Sequence, residues 1–427
     1  MFYETKSGRE KLIGLKYYST PNDISISDFN IENIEDFIVQ EVLRGWLTLP
    51  INEKHGVFLP VSCRGNYVRA ILVKKGIDTL TAIHTISKIV NIPLDEIQFL
   101  GLKDAKGITS QLISLKYTKK LGKLKTSNIN IVCSYESCAP VSTQGLWGNK
   151  FTITLRKRKK EGENDENFLK NMIKLQKLIS TNALISYFGY QRFGILPPLN
   201  HIIGKYILKR EYHDAIKIIL SDKNINNVNN DYRLIYEKEI IDLMNKFKKD
   251  YLCVFKNIPK IIVKIFLQSY QSFLFNKMIN KRIELGLPLD QAVIGDIVGY
   301  SEATIYRDDD IIVVTNSNFD KINRLVKQGQ LSILYPLLGY LTEKRKMPSG
   351  EAYEPIAKVI EEEEICPDDF LFNDIPEISL AGYYRPLTFR VYNFLWHLTK
   401  SSDIKCSFFL KRGFYATIVL RELIKPA

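Results

Sequence analysis

FLGLKDAKGITSQ, residues 99–111, sets an aspartate between two lysines in a glycine-bracketed turn that directly follows an apolar run. The stretch is too polar for a core segment and too ordered in its chemistry for an arbitrary loop. Three roles compete for it. A phosphate cradle needs the spacing GxxxxGK[ST], which Gly101 to Thr109 does not have, and Asp104 would repel a phosphate. A solvated turn accounts for Gly, Asp and Lys, and on pattern alone it comes first, because most aspartate-containing turns do no chemistry. It gives no reason for Thr109 and Gln111 to follow at alternate positions. The third role is a nucleophile: an ionised carboxylate can form a covalent intermediate at a sugar carbon or add to an electrophilic ring, and then leave. Lys103 or Lys106 would hold Asp104 ionised. In an extended loop Lys103 points away from Asp104 and Lys106 to its side, and the pattern does not choose between them.

Outward from this loop the chain alternates between strand and helix signals. EDFIVQEV (35–42) and YVRAILVKK (67–75) read as strands, and Asp78-Thr79 offers a cap to a helix with Leu80, Ile83, Ile86 and Val90 at helical spacing. FTITLRKRKK (151–160) reads as a strand, followed by a polar turn and an amphipathic helix through residue 180. Helical patterns dominate from about His201 to Leu285, and Gly286 closes the longest. DQAVIGDIVGY and DDDIIVVTN read as strands, EEEE (361–364) as a solvated face, PLTFRVYNFLWHL as a helix and SFFLKRGFYATIVLREL as strand-like. Strands and helices mix without a βαβ rhythm, which predicts an α+β fold. The pattern suggests one domain inserted in another whose first and last segments pack together.

A chain of 427 residues exceeds one ordinary core, so two domains are expected. The formal charge of +13 favours an anionic partner, since clustered Lys and Arg release counterions when they meet phosphates. Apolar runs such as IIVKIFL (261–267) are short and broken by charge, and the N-terminus lacks the apolar core of a signal peptide, so a soluble cytoplasmic protein with no membrane span is expected. The six cysteines are scattered, and Cys133/Cys138 fits neither a zinc knuckle nor a redox motif; buried free thiols are expected. The five histidines form no HxH or HxxxH pattern, so no metal is expected.

Three further stretches carry chemistry. In SYFGYQRFG (186–194), Arg192 can offer its planar fork to a phosphate or to a neighbouring loop, while Tyr187 and Phe188 suit an aromatic core. In GNKFTITL (148–155), Asn149 and Phe151 share one face of a strand, so a ring could stack on a base while an amide meets its Watson–Crick edge. SFFLKRGFYATIVLREL joins two phenylalanines to a basic turn that contains glycine.

Taken together these stretches make the sequence similar to the TruD family of pseudouridine synthases, in its archaeal and eukaryotic branch. The family pattern GxKDxxAxTxQ is present as GLKDAKGITSQ, with Gly107 in the usual place of alanine, and NYFGxQRFG as SYFGYQRFG, with Ser186 in place of asparagine. GNxF is present as Gly148 to Phe151, YQSxLFN as YQSFLFN (270–276), and EDFxVxE as EDFIVQE. The closing FxLPxGSYATxxLRE is present as FFLKRGFYATIVLRE, with Lys411 and Phe414 replacing proline and serine. The matches run from about residue 35 to the C-terminus, nearly the whole chain.

The resemblance implies a catalytic domain of residues 1–194 plus 385–427, with a mixed, largely antiparallel sheet and flanking helices. Residues 195–384 would be the inserted α/β domain, and the two would form an RNA-binding cleft. It implies Asp104 as the nucleophile, attacking the uridine at ribose C1′ or at ring C6, with no cofactor. Phe37, Asn149, Phe151 and Phe408 would line the uridine pocket, with Phe409 the adjacent alternative to Phe408, and Lys103, Thr109, Gln111 and Arg192 would support it. RKRKK (156–160) and the lysines from Lys116 to Lys125 would touch phosphates. The partner would be tRNA, at uridine 13 of the D-arm or uridine 35, and a monomer is expected. Ile31, six residues before Phe37, stands where bacterial members carry lysine. Two rivals remain: an RNA-binding or chaperone protein on the same fold, and a hydrolase with paired carboxylates. Asp95 and Glu96 precede the loop, but nothing in the sequence sets either beside Asp104.

Overall fold

The computed structural model describes residues 2–26, 29–52, 65–103, 105–116, 121, 124–157, 165–194, 197–221, 240–248, 250–303 and 305–425. The chain divides into two compact units. One comprises residues 26–181 and 390–416, and the other comprises 1–25, 182–389 and 417–427. The packing therefore groups the first 25 residues, residues 182–194 and the last helix with the helix-rich unit rather than with the long sheet.

The sheet unit is built on strands β1 (Phe29–Asn30), β2 (Phe37–Leu43), β3 (Tyr67–Lys75), β4 (Gln98–Phe99), β5 (Ile108–Lys116), β6 (Ile129–Ser137), β7 (Leu146–Lys157), β8 (Tyr392–Leu398) and β9 (Ile404–Lys411). Their order is β8-β9-β7-β2-β5-β3-β6, with β1 on β7 and β4 on β5. β2 and β5 run parallel, and the remaining pairings are antiparallel. Helix α1 (Thr79–Val90) starts where the sequence predicts, with the Asp78 carboxylate accepting from Thr81 N at 2.9 Å. Its Ala82, Ile83, Ile86 and Val90 cover one face of the sheet at Val68, Ala70, Leu72, Ile113 and Leu115. Leu49, Ile71, Val73, Leu100, Leu112 and Leu146 form the core on the opposite face. Helix α2 (Asp165–Thr181) meets β8, where Gln176 accepts from the Trp396 indole at 3.0 Å. The expected α+β architecture is present.

The segment PLTFRVYNFLWHL is not the helix its spacing suggests; β8 lies within it. A register shift falls between Tyr392 and Leu395, where β8 holds one more residue than β9. The extra residue stretches the strand spacing of two into three, and so imitates helical periodicity. SFFLKRGFYATIVLREL is strand only through Lys411.

In the helix-rich unit, α3 (Asn200–Leu208) lies against α4 (Lys260–Glu284). Gly204 permits this approach: a Cβ there would stand 2.1 Å from the Phe266 carbonyl oxygen. A four-stranded antiparallel sheet runs in the order Ile312–Val313, Ile297–Tyr300, Leu331–Leu337, Tyr383–Pro386. The acidic run 361–364 is exposed at Glu361, Glu362 and Glu364, and Glu363 is the exception. Within α5 (Glu354–Glu363), Glu363 is buried and accepts from Tyr270 Oη at 2.9 Å, Lys205 Nζ at 2.7 Å and Lys277 Nζ at 2.7 Å. Burial raises the Glu363 carboxyl, but the two lysines outweigh it and hold the group below its ordinary value.

The chain ends meet in this unit. α6 (Ala416–Ile424) carries Arg421, whose Nε and Nη2 reach the Glu10 carboxylate at 2.6 and 2.8 Å. The neighbouring Glu422 accepts from the backbone N–H of Ser19 and Thr20, both at 2.9 Å. The cysteines depart from expectation: Cys138 is disulfide-bonded and Cys366 is exposed. Cys406 is a buried thiol, pushed up to about 12 by burial. No helix among the described residues is long and apolar enough to cross a membrane.

Two outcomes follow from this packing. Glu10→Gln leaves the buried Arg421 guanidinium without its carboxylate and is expected to cost about 3–5 kcal/mol in chemical denaturation. His201 is buried against the rings of Phe193 and Phe273, and burial lowers it from 6.5 to about 4. The unfolded chain therefore takes up this proton first, so stability is complete above pH 6.5 and declines as pH falls toward 4. A His201→Phe variant measured across that window is expected to lose this part of the slope.

Candidate active site

The register of the central strands collects the predicted residues on one face of the sheet unit. Thr109 pairs with Lys74 on one side and Val39 on the other, Val39 with Phe151, and Phe151 with Phe408. The next row holds Glu41, Asn149 and Leu410. The Phe37 and Phe151 ring centroids are 6.2 Å apart at 59°, and Phe151 stacks on Phe408 at 5.5 Å and 25°. Phe408 stacks in turn on Phe394. Phe409 pairs with Lys150 and belongs to the opposite face, which separates the two phenylalanines that the sequence left as alternatives.

The loop before β5 is fixed at its flanks. The Lys103 side chain, 10% exposed, donates to Asn149 Oδ1 at 2.7 Å and lies 3.1 Å from Glu41 Oε1. Lys103 N donates to Thr79 Oγ1 at 2.9 Å, and Thr79 Oγ1 donates to Gln111 Oε1 at 3.0 Å. The fully buried Glu41 also accepts from Leu112 N at 2.8 Å. Lys103 is thus drawn into the residue set, while Lys106 is exposed. Asp104 itself lies outside the described residues.

Three buried atoms on this face lack a hydrogen-bond partner among the described residues, and one of them, Glu41 Oε1, is faced by the Lys103 ammonium at 3.1 Å. The other two are Thr109 Oγ1 and Gln111 Nε2. An unmatched buried polar atom costs about 1–3 kcal/mol, which marks both as groups held ready for something else. Gly107 accounts for a departure from the family pattern: an alanine Cβ there would stand 2.5 Å from the Phe37 carbonyl oxygen. Gly148 is similarly confined, 2.1 Å from the Leu410 carbonyl oxygen.

Other expected members sit elsewhere. Arg192 belongs to the helix-rich unit, where its Nε donates to Ser272 Oγ at 3.0 Å. There SYFGYQRFG and YQSFLFN interlock: Asn276 Oδ1 accepts from Phe188 N at 2.9 Å and its Nδ2 donates to Phe188 O at 3.1 Å. Arg156 holds Asp36 at 2.8 and 2.7 Å, and Lys116 holds Glu96 at 2.9 Å, so both have protein partners. Residues 117–120, 122–123 and 158–160 of the basic strips lie outside the described residues. Ile31 is exposed. Sequence reasoning passed over Glu41 and Lys74, and read Thr79 only as part of a helix cap. Phe37, Val39 and Glu41 alternate, so a carboxylate in the core-facing phase was a readable signal, as was Lys74 two positions after Leu72. Lys74 is fully buried, and its Nζ donates to Ile77 O at 2.7 Å.

An α+β unit with aromatic rings, an amide and a buried cation on one sheet face is what the chain presents, and comparison with known proteins places it. The model of the family described as tRNA pseudouridine synthase D (TruD) matches residues 13–233 and 223–423. The chain belongs to the TruD family. A Methanosarcina mazei protein named "Probable tRNA pseudouridine synthase D" is 29% identical over 446 residues, covering 97% of both chains. One of the same name from Pyrococcus furiosus is 30% identical over 432 residues, covering 96% of this chain and 98% of its own. The crystal structure described as that of the "Putative tRNA pseudouridine synthase D (TruD) from Methanosarcina mazei" superposes with a TM-score of 0.70 at 27% identity, covering 98% of each chain.

Glu41→Gln keeps an acceptor for Leu112 N–H but removes the charge facing Lys103. The expected loss is about 3 kcal/mol in thermal or chemical denaturation, the lower end for a broken buried pair, because Lys103 retains Asn149 and a little solvent.

Proposed function

We propose that the protein is a tRNA pseudouridine synthase that converts one uridine, at position 13 or 35, to pseudouridine with Asp104 as nucleophile. The observation that carries this is the placement of Thr109 Oγ1 and Gln111 Nε2, buried and unmatched, on the face that holds Phe37, Asn149 and Phe151, directly after the loop of Asp104. The family and its named members supply the reaction class.

In this reading the target base leaves the stack and is gripped by Phe37 and Phe151, with Asn149 at its edge. The Asp104 carboxylate attacks ribose C1′, the C1′–N1 bond breaks, and its electron pair leaves with the uracil. The base rotates, C5 bonds to C1′ and displaces the carboxylate. The C5 proton is lost and N1 gains one, so the product is an isomer of the substrate. Lys103 holds Asn149 in place, and its positive charge favours an ionised carboxylate in the loop. Phe408 backs Phe151, and Gln111 orients the loop through Thr79. Arg192 contributes from the helix-rich unit, by bracing the SYFGYQRFG segment. The functional domains in this reading are 1–194 with 385–427, and 195–384 inserted.

Wild type and Asp104→Asn are incubated with unmodified tRNA transcripts, and pseudouridine is mapped by carbodiimide-blocked primer extension. A stop at one uridine with wild type and a loss of at least 1,000-fold in rate with the variant is the expected outcome, since removing a covalent nucleophile removes the step itself. Tight binding by both proteins without a stop on any tRNA would replace the synthase with an RNA-binding protein. Free uracil would replace it with a hydrolase.

A further inference from the structure

The face of the sheet opposite the candidate pocket carries a second aromatic cluster. Trp46 and Trp147 have ring centroids 4.2 Å apart, Trp46 lies 5.8 Å from Phe409 and 6.1 Å from Tyr392, and Trp147 lies 5.4 Å from Tyr392. Lys150 Nζ stands 5.8 Å from the Phe409 centroid, and Lys411 Nζ 5.8 Å from that of Tyr392.

The strands are bent to make this cluster. β7 holds one more residue than β2 between the pairs Val42–Gly148 and Leu43–Leu146, and the extra residue is Trp147. In an unbroken strand Trp147 would share the face of Asn149; the bulge sends it to the other. β8 has its own bulge after Tyr392, with Asn393 at φ 51°. Tyr392 and Phe394 are two residues apart, yet Tyr392 pairs with Phe409 while Phe394 stacks on Phe408. Trp46 completes the group from a turn in which Gly45 and Trp46 have φ of 82° and 65°. The turn closed by Leu43 N and Leu47 O at 2.8 Å uses this left-handed backbone, which a glycine would adopt without the cost a tryptophan bears, and Trp46 remains 50% exposed.

Charge selects the occupant. The contributing segments 43–49, 142–150, 390–398 and 404–415 contain Arg44, Lys150, Arg390, Lys405, Lys411 and Arg412, and no Asp or Glu. An exposed Trp46 ring over half-buried rings, in segments that carry cations and no carboxylate, suits a stacked base joined to phosphates. A protein partner docking on aromatics would not need these four segments to be free of acids.

We infer that Trp46, backed by Trp147, Tyr392 and Phe409, is a stacking platform for an unpaired nucleotide of the RNA substrate, separate from the pocket that receives the target uridine. This rests on the reading of the protein as an RNA-modifying enzyme. The platform anchors a single-stranded segment while another nucleotide reacts on the other face.

The discriminating variant is Trp46→Gly, because glycine relieves the left-handed backbone while removing the ring. With the full chain, binding of a tRNA transcript, a single-stranded oligouridylate and an RNA duplex is measured by fluorescence anisotropy, alongside the melting temperature. Trp46→Gly is expected to weaken transcript and oligouridylate about 5- to 100-fold, leave the duplex little changed, and melt at or above the wild-type temperature. Trp46→Phe is expected to retain most binding. KM for tRNA rises with kcat kept. Should Trp46→Gly not fold, wild type decides: oligouridylate must protect its exposed tryptophan from acrylamide quenching.

Unchanged RNA binding in Trp46→Gly, or no protection in wild type, overturns the platform, and a lowered melting temperature alone would make the cluster mere packing. Weakening confined to the duplex would make it a phosphate contact and also overturn it. If wild type forms no pseudouridine on any tRNA but Trp46-dependent binding persists, the synthase reading fails and the platform stands.

Discussion

The register of β7 between β2 and β9 is the constraint on which the rest depends. Phe151 pairs with Val39 on one side and Phe408 on the other, and this single alignment decides what each face carries. A slip of one residue would exchange Asn149 and Phe151 for Lys150 and Thr152. Gly148 helps to hold the alignment, because the Leu410 carbonyl occupies the space any side chain would need. The sheet therefore presents rings and an amide to one side and cations and rings to the other.

On the pocket side, the Lys103 ammonium ties the loop to two strands at once, through Asn149 of β7 and Glu41 of β2. Backbone and hydroxyl bonds from Thr79 add the start of α1 to the same frame. Such a frame reduces the conformational freedom of the loop before any ligand arrives. The unmatched Thr109 and Gln111 atoms show that folding stability was not the only demand met there. A protein selected for stability alone would have apolar groups at these positions or would close the bonds.

Much of this was legible in the sequence. The strand at 67–75 and the helix that follows Asp78 stand where alternation and capping predict them, because local propensity and burial agree there. Asn149 and Phe151 were legible as a pair because a strand repeats every two residues. The failures have a common origin in contacts distant along the chain. Glu363 could not be told from its exposed neighbours because Lys205, Lys277 and Tyr270 lie far from it in sequence. Phe408 and Phe409 could not be separated until their partners on β7 were known. The pattern left Arg192 open between a phosphate and a neighbouring loop because its partner Ser272 is 80 residues away.

The bulges extend the same lesson. An extra residue is invisible in a single strand and exists only relative to a partner, so the spacing of β8 mimicked a helix and the face of Trp147 could not be read from alternation. Bulges also interrupt ladder hydrogen bonds, so a sheet that carries two of them beside one aromatic cluster spends stability to aim side chains. Trp46 adds a strained backbone at the same place. Three separate departures from regular structure converge on one solvent-facing patch. Packing alone gives no reason for that coincidence, whereas an aromatic cluster that holds the Trp46 ring out to a ligand needs all three.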